Sequence, residues 1–303
     1  MTAEDLWKMF CEKESLPFET KFDAWQFGGA PDYLAALVMQ KIKTATASGY
    51  DLYFIPGAEE KLPQTGDYSV IEDSKGQAVC VIQTTKIAVI PFDEVSNEHA
   101  YKEGEGDRSL TYWRKVHKEF FEEDFGSCGV KFDLTSKILC EEFELVYSLY
   151  DVVPFLEADA KDICKWTYED DYAVYNYPSW DECVNMQISF TNEETRREQY
   201  YKVLKAGERL GYFRLEKSDN TIELSVGIAP DKCSGGNGDM LINLALAKIS
   251  ELYPGKKIIL TVRPFNKRAI RVYEKAGFKI VKEYCEDRYL VPGPMLLMEM
   301  ISR

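Results

Sequence analysis

Histidine is nearly missing from this chain, with two residues in 303, His99 and His117. No pair of the eight cysteines has CxxC spacing, and none stands near a histidine at metal-finger distance. No metal site is therefore expected, and the thiols are expected to be reduced. No apolar run approaches the roughly 18–20 residues that a membrane helix needs. The opening MTAEDLWKMFCEKE mixes charges and has no signal-peptide profile, so a cytoplasmic protein without membrane attachment is expected. Positive charge is scarce too: 37 Lys and Arg face 51 Asp and Glu, a net charge of −14. The first 150 residues carry −12 of it and the remainder −2. Such a surface argues against strong non-specific binding to nucleic acid, while leaving room for a nucleoside in a local pocket.

What is present is core-forming material. Hydrophobic residues make up 45% and aromatics 13% of a chain longer than one core usually holds, so two domains are expected. No repeat or low-complexity linker separates them. The first half reads as an early helix and short strands, with a hairpin over 68–72 and 78–90 around Asp73-Ser74-Lys75-Gly76. Helical patterns follow near 93–103 and 110–123, then an alternating strand at 138–147. This order predicts a small barrel-like α+β domain. The pattern changes near residue 152, giving domains at 1–152 and 153–303. The second begins with a helical stretch at 156–168 and a hairpin over 210–216 and 221–228. It then runs strand, glycine loop, helix, strand, helix, strand.

The strand IELSVGI and Pro230 lead into DKCSGGNGD, residues 231–239, and a helix with apolar Leu241, Leu244, Ala245, Ile249 and Leu252. Strand, glycine turn and helix N-terminus make an anion site, because free backbone amides and the helix dipole both favour phosphate. The same pattern also serves as an ordinary tight turn. After the strand 258–262 comes RPFNKRAIRVYEKAGF, residues 263–278. Together, Cys233-x-x-Gly236-x-Gly238 and the run N-x-R-A-I-x-x-Y-E-K-x-G-F closely resemble the GNAT family of N-acetyltransferases. The resemblance implies a mixed α/β sheet domain using acetyl-CoA as co-substrate and a small-molecule or peptide amine as acceptor. It implies that Ser234, Gly235, Gly236, Asn237, Gly238 and Asp239 hold the pyrophosphate, and that Asn266 contacts the pantetheine arm. Tyr273 would protonate the departing thiolate, and backbone donors of a splayed strand would face the thioester oxygen. Tyr273 also fits simple helix packing, and Asn266 a helix N-cap. Family members often use a glutamate on the strand before the loop as base, which falls on Glu223; a solvent-facing strand residue is the other reading. Cys233 stands where the family usually has Arg or Gln. Trp166, Tyr168, Tyr172, Tyr175, Tyr177 and Trp180 fall where the family forms its acceptor pocket, and equally suit a core.

Both histidines flank an acidic stretch, EHAYKEGEGDRSLTYWRKVHKEFF, residues 98–121. With KIKTATAS (41–48), TGD (65–67) and CEEFELVY (140–147), it resembles the longer subgroup of the ASCH family. This implies a PUA-like β-barrel that binds RNA or nucleosides. Some members are amidases acting on N4-acetylcytidine through a lysine, a threonine and a glutamate. The family's K-x-x-T falls on Lys43 and Thr46, and its H-A-x-x-E ends on Glu103; Lys41 replaces a usual glycine. A lysine with a lowered pKa would activate Thr46, with Glu103 passing a proton to the leaving amine; alternatively Lys43 is an electrostatic clamp. Gly104 and Gly106 suggest backbone folded around a ligand, against the alternative of a solvated loop. His117 is read as either catalytic or structural. A scaffold role for the whole chain is the remaining alternative.

Overall fold

The computed structural model describes residues 1–301 apart from Glu59, Ser234 and residues 287–290. The chain divides into two units, one ending at Leu149 and the other beginning at Tyr150.

In the first unit, Thr2 and Asp5 form a capping box that starts α1 (Ala3–Glu14). There follow β1 (Asp23–Trp25), α2 (Pro31–Met39), β2 (Ala45–Gly49), β3 (Tyr68–Glu72) and β4 (Ala78–Pro91). Ser96 and Ser109 cap α3 (Asn97–Glu103) and α4 (Leu110–Ser127), and β5 (Lys137–Ser148) closes the unit. The helix expected from residue 93 thus starts later, where a serine side chain can accept the orphan amide of His99. The sheet order is β1-β3-β4-β5-β2, curling into a half-barrel with β1 and β2 at its ends. On one face Ala47 and Cys140 pack beneath α4, against Phe92, Trp113, Phe121, Phe125 and Ile138.

The second unit contains β6 (Tyr150–Pro154), α5 (Glu157–Ile163), α6 (Trp180–Asn185), α7 (Glu193–Gln199), β7 (Tyr200–Lys205), β8 (Glu208–Lys217) and β9 (Thr221–Ile228). Then come α8 (Asn237–Leu252), β10 (Lys257–Val262), α9 (Lys267–Ala276), β11 (Lys279–Glu286) and β12 (Gly293–Ile301). Strand β6, which straddles the boundary expected at 152, pairs with β7. The sheet order is β11-β12-β10-β9-β8-β7-β6, and only β9 and β10 run parallel. Helix α8 covers one face, so close that a Cβ on Gly211 would lie 2.8 Å from Leu241. The other face packs Phe155, Phe190, Tyr200 and Tyr212 beneath α5 and its neighbours.

One irregularity positions the site. Strand β9 pairs with β10 only through Thr221–Ile222–Glu223 against Lys257–Ile258–Ile259. Beyond that, Leu224–Ile228 keep pairing with β8, and Leu260–Val262 with β12. The two parallel strands part immediately after Glu223, leaving a gap between their facing edges.

Candidate functional site

At the mouth of this gap the loop before α8 turns through Gly235 (φ 68°) and Gly236 (φ 82°), left-handed conformations that favour glycine. Gly236 is the N-cap of α8 and makes no side-chain cap hydrogen bond; its carbonyl accepts from the Asp239 amide at 3.1 Å. Asn237 braces the turn, donating to the Lys232 carbonyl at 3.0 Å and accepting from Lys205 at 3.1 Å. A Cβ at Gly238 would make only ordinary contact, 3.4 Å from Val272 of α9. Asp239 faces Lys275 at 3.4 Å. Ser234 lies outside the described residues. Cys233 meets the guanidinium of Arg268 from the first turn of α9, so a cation arrives where the family's loop usually supplies one itself.

The other lip carries Asn266 and Tyr273. Asn266 Oδ1 accepts from the Ala269 amide at 3.1 Å, the N-cap of α9, while Nδ2 donates to the Tyr175 hydroxyl at 3.2 Å. Tyr273 is buried, with Phe278 as its ring neighbour at 6.1 Å. Burial, then the nearby Tyr175, push its phenol above the ordinary value, so it is a neutral O–H at physiological pH. Glu223 is the last β9 residue paired with β10. Burial and then Glu216, its register partner on β8, raise its carboxyl above the usual range, against a lowering pull from Arg214.

The aromatics divide. Trp166, Tyr177 and Trp180 pack against the core beneath α5 and α6. Tyr168, Tyr172 and Tyr175 belong instead to a loop closed by Asn176, which accepts from the Tyr168 amide at 2.7 Å and donates to its carbonyl at 3.1 Å. Tyr168 donates its hydroxyl to the Ile228 carbonyl at 2.8 Å, so this loop touches both lips of the gap. Arg268 stacks over Tyr172 with 5.2 Å to the ring centre.

In the first unit, Lys43 is 1% exposed and its ammonium lies 2.8 Å from both Glu103 Oε2 and Glu105 Oε1. Glu103 Oε1 accepts from the Trp113 indole at 2.7 Å and faces His99 Nε2 at 3.1 Å and His117 Nε2 at 3.5 Å. Burial opposes the charge on Glu103, but Lys43 and His117 hold its pKa well below the usual range. For Lys43 burial likewise pulls down, and the two carboxylates outweigh it, leaving the amine raised. The expected lowered lysine pKa is therefore overturned: Lys43 is a locked ammonium, as a clamp requires. His117 bonds the Trp113 carbonyl through Nδ1 at 3.1 Å and stacks on the same indole at 4.2 Å. Thr46 is half-buried on β2 opposite Glu141, and no hydrogen bond among the described residues joins it to Lys43 or Glu103.

Ligand atoms of Glu103, Glu105 and His117 lie within 4.8 Å of one another. A divalent ion there would have to displace an ammonium already bonded to both carboxylates, so the donor set does not suit a metal. Both loop glycines are required by the protein itself. At Gly104 (φ 74°) a Cβ would lie 2.6 Å from the Ile42 carbonyl oxygen, and at Gly106 (φ 56°) 2.4 Å from the Tyr112 ring. Neighbouring protein atoms therefore require glycine at both positions, a reason separate from the expected folding around a ligand. Lys41 keeps a left-handed φ of 59°, so the glycine-type turn persists without glycine.

An ASCH domain model matches residues 23–147 and a GNAT acetyltransferase domain model residues 152–279. The chain is an ASCH domain followed by a GNAT acetyltransferase domain. Protein EF3133 from Enterococcus faecalis is 34% identical over 48% of this chain and 88% of its own, with TM-score 0.44. An ASCH domain from Lactobacillus crispatus is 26% identical over 47% of this chain and 95% of its own, TM-score 0.42. For the GNAT domain, spermidine N-acetyltransferase from Vibrio cholerae, solved with CoA and spermine, is 21% identical over 51% and 96%, TM-score 0.42. No curated protein matches significantly. Among the described residues no helix is long and apolar enough to cross a membrane. Sequence reading missed Arg268, Glu105 and Trp113 as site residues, although the motif strings contain all three.

Proposed function

We propose that the GNAT domain transfers the acetyl group of acetyl-CoA directly to an amine at the β9/β10 gap. The observation that carries this reading is the parting of the two parallel strands just beyond Glu223, with the glycine turn and the start of α8 following one strand and Asn266 and α9, which bears Tyr273, following the other. The chain's own groups fit such a co-substrate. The glycine turn at Gly235, Gly236 and Gly238 and the Arg268 cation suit a pyrophosphate, and the gap between the parted strands suits an extended arm. When bound, the thioester supplies the activated acyl group. Glu223, with its raised pKa, takes a proton from the acceptor ammonium, and the neutral Tyr273 phenol gives one to the departing thiolate. Glu216 beside Glu223 favours a cationic acceptor, a small molecule or peptide amine. Incubation with acetyl-CoA and a panel of amines tests this: free thiol should appear with one or more acceptors, and a Gly236→Val protein should neither bind nor turn over. Failure of the unaltered protein to bind acetyl-CoA would remove the proposal.

For the ASCH domain we infer a nucleoside or RNA ligand, supported by a buried Lys43–Glu103–Glu105 cluster beside the Thr46 strand. Amidase action on an N4-acetylcytidine-like nucleoside is the catalytic form of this reading, with Lys43 holding charge and Thr46 as nucleophile. Release of acetate from N4-acetylcytidine, lost in Lys43→Ala, distinguishes it from a recognition module that binds without turnover.

A further inference from the structure

Three of the stretches that carry the ASCH resemblance converge on one carboxyl that none of these roles employs. Glu141 lies on β5, 6% exposed. Register sets Thr46 of β2 directly opposite, and paired residues of an antiparallel ladder project from the same face. Ser48 shares that face and hydrogen-bonds the Tyr53 hydroxyl at 3.0 Å. From β4, Thr84 donates its hydroxyl to Glu141 Oε1. The TGD turn is fastened to Thr84 in both directions: the Gly66 amide bonds the Thr84 carbonyl at 2.8 Å, and the Thr84 amide the Asp67 carbonyl at 2.9 Å.

This cluster is saturated on one side only. Among the described residues neither Glu141 Oε2 nor the Thr46 hydroxyl has a hydrogen-bond partner. Thr46 is only half-buried and neither oxygen is sealed in the interior, so one face presents a carboxyl oxygen and a hydroxyl, held by three chain segments and open to an incoming ligand. The Lys43–Glu103 cluster is the contrast, because every Glu103 oxygen there already has a donor.

We propose that Glu141, together with Thr46, reads the base of a nucleoside through an amidine-type edge, a ring nitrogen acceptor beside an exocyclic N–H, as in cytosine. This rests on the reading that the ASCH domain takes a nucleoside. A neutral carboxyl offers both halves of that edge, an O–H donor and a C=O acceptor, whereas an ionised carboxylate would set an oxygen lone pair against the ring nitrogen. The surroundings favour the neutral form. Burial raises the carboxyl, Asp67 adds to this, and the Thr84 bond opposes it; Tyr53 is the other titratable neighbour.

Glutamine mimics the neutral acid permanently, which gives the test. With the full chain, cytidine and N4-acetylcytidine affinities are measured by calorimetry at about pH 5.5 and about pH 8. Native protein should lose about tenfold in affinity at the higher pH, Glu141→Gln should keep the low-pH affinity at both, and Glu141→Ala should lose about tenfold or more throughout. Thr46→Val, a nearly isosteric change, should weaken binding at both pH values. Native-like affinity and pH dependence in Glu141→Gln and Thr46→Val would overturn the inference while leaving the nucleoside reading intact. Absence of nucleoside binding by the native chain at millimolar concentration would overturn that reading and the inference with it.

Discussion

The Trp113 indole donates to Glu103 at 2.7 Å, on the oxygen that both histidines also face. A single carboxylate is thus the meeting point of α3, α4 and the segment before β2. Its charge, and that of Glu105, is balanced by the Lys43 ammonium and by His117 when protonated.

Removing one partner strands the rest. Lys43→Met should destabilise the ASCH domain by about 3–5 kcal/mol, because the buried Glu103 and the half-buried Glu105 are left beside each other without their cation. Urea unfolding followed by hydrogen exchange over residues 99–117 assigns the loss to this domain. A change below about 1 kcal/mol would show that the ammonium contributes little.

The His117 contribution has a definite sign with pH. Burial alone would lower its pKa, but Glu103 outweighs burial and raises it above 6.5. Its stabilisation is therefore fully present below pH 6.5 and lost as pH rises through the raised folded value. The depressed Glu103 works the other way: its contribution is present above the ordinary carboxylate value of 4.5 and lost as pH falls through the folded value. The stability difference between native protein and His117→Gln should shrink by about 1.4 kcal/mol per pKa unit of elevation between pH 6 and pH 9. A pH-independent difference would contradict the assignment.

Tyr273→Phe isolates the proposed acid. Its hydroxyl makes no hydrogen bond to the described residues, so stability should change by less than about 0.5 kcal/mol. Acetyl-CoA affinity should hold, while kcat should fall by about 10²–10⁴-fold. Unchanged kcat would return the ring to a packing role.

Asn266 performs two tasks that two substitutions separate. Asn266→Ala removes the α9 cap and should cost about 1 kcal/mol. Asn266→Asp keeps the cap but removes the donor to Tyr175, so it should stay within about 0.5 kcal/mol of native in thermal unfolding yet bind acetyl-CoA more weakly. Equal stability losses in both proteins would argue against the capping geometry as the stabilising element.

Local signals carried much of this fold. The alternation at 138–147 and the turn at 73–76 predict β5 and the β3–β4 hairpin because side-chain period and turn chemistry act over a few residues. The N-x-R-A-I-x-x-Y run predicts where Asn266 and Tyr273 fall, at the cap of α9 and within it. Tertiary effects were not legible. The helix expected over 156–168 stops at Ile163, where Trp166 is drawn into the aromatic core and Tyr168 to the Ile228 carbonyl. The raised pKa of Lys43 depends on Glu103 and Glu105, about sixty residues away in sequence, and no spacing rule anticipates that balance. Glu141 sat unremarked within a quoted strand, since its partners Thr46 and Thr84 come from two other strands.

Gly104 bears no functional group, yet the Ile42 carbonyl leaves no room for even a methyl there. The main chain consequently gears the lysine-bearing segment to the end of α3, and neither can drift without dragging its counterpart. An alanine at this position would uncouple the pair with every ionisable group still present. Damage of that kind would imitate a lost catalytic residue in any assay, although the chemistry itself had been left untouched.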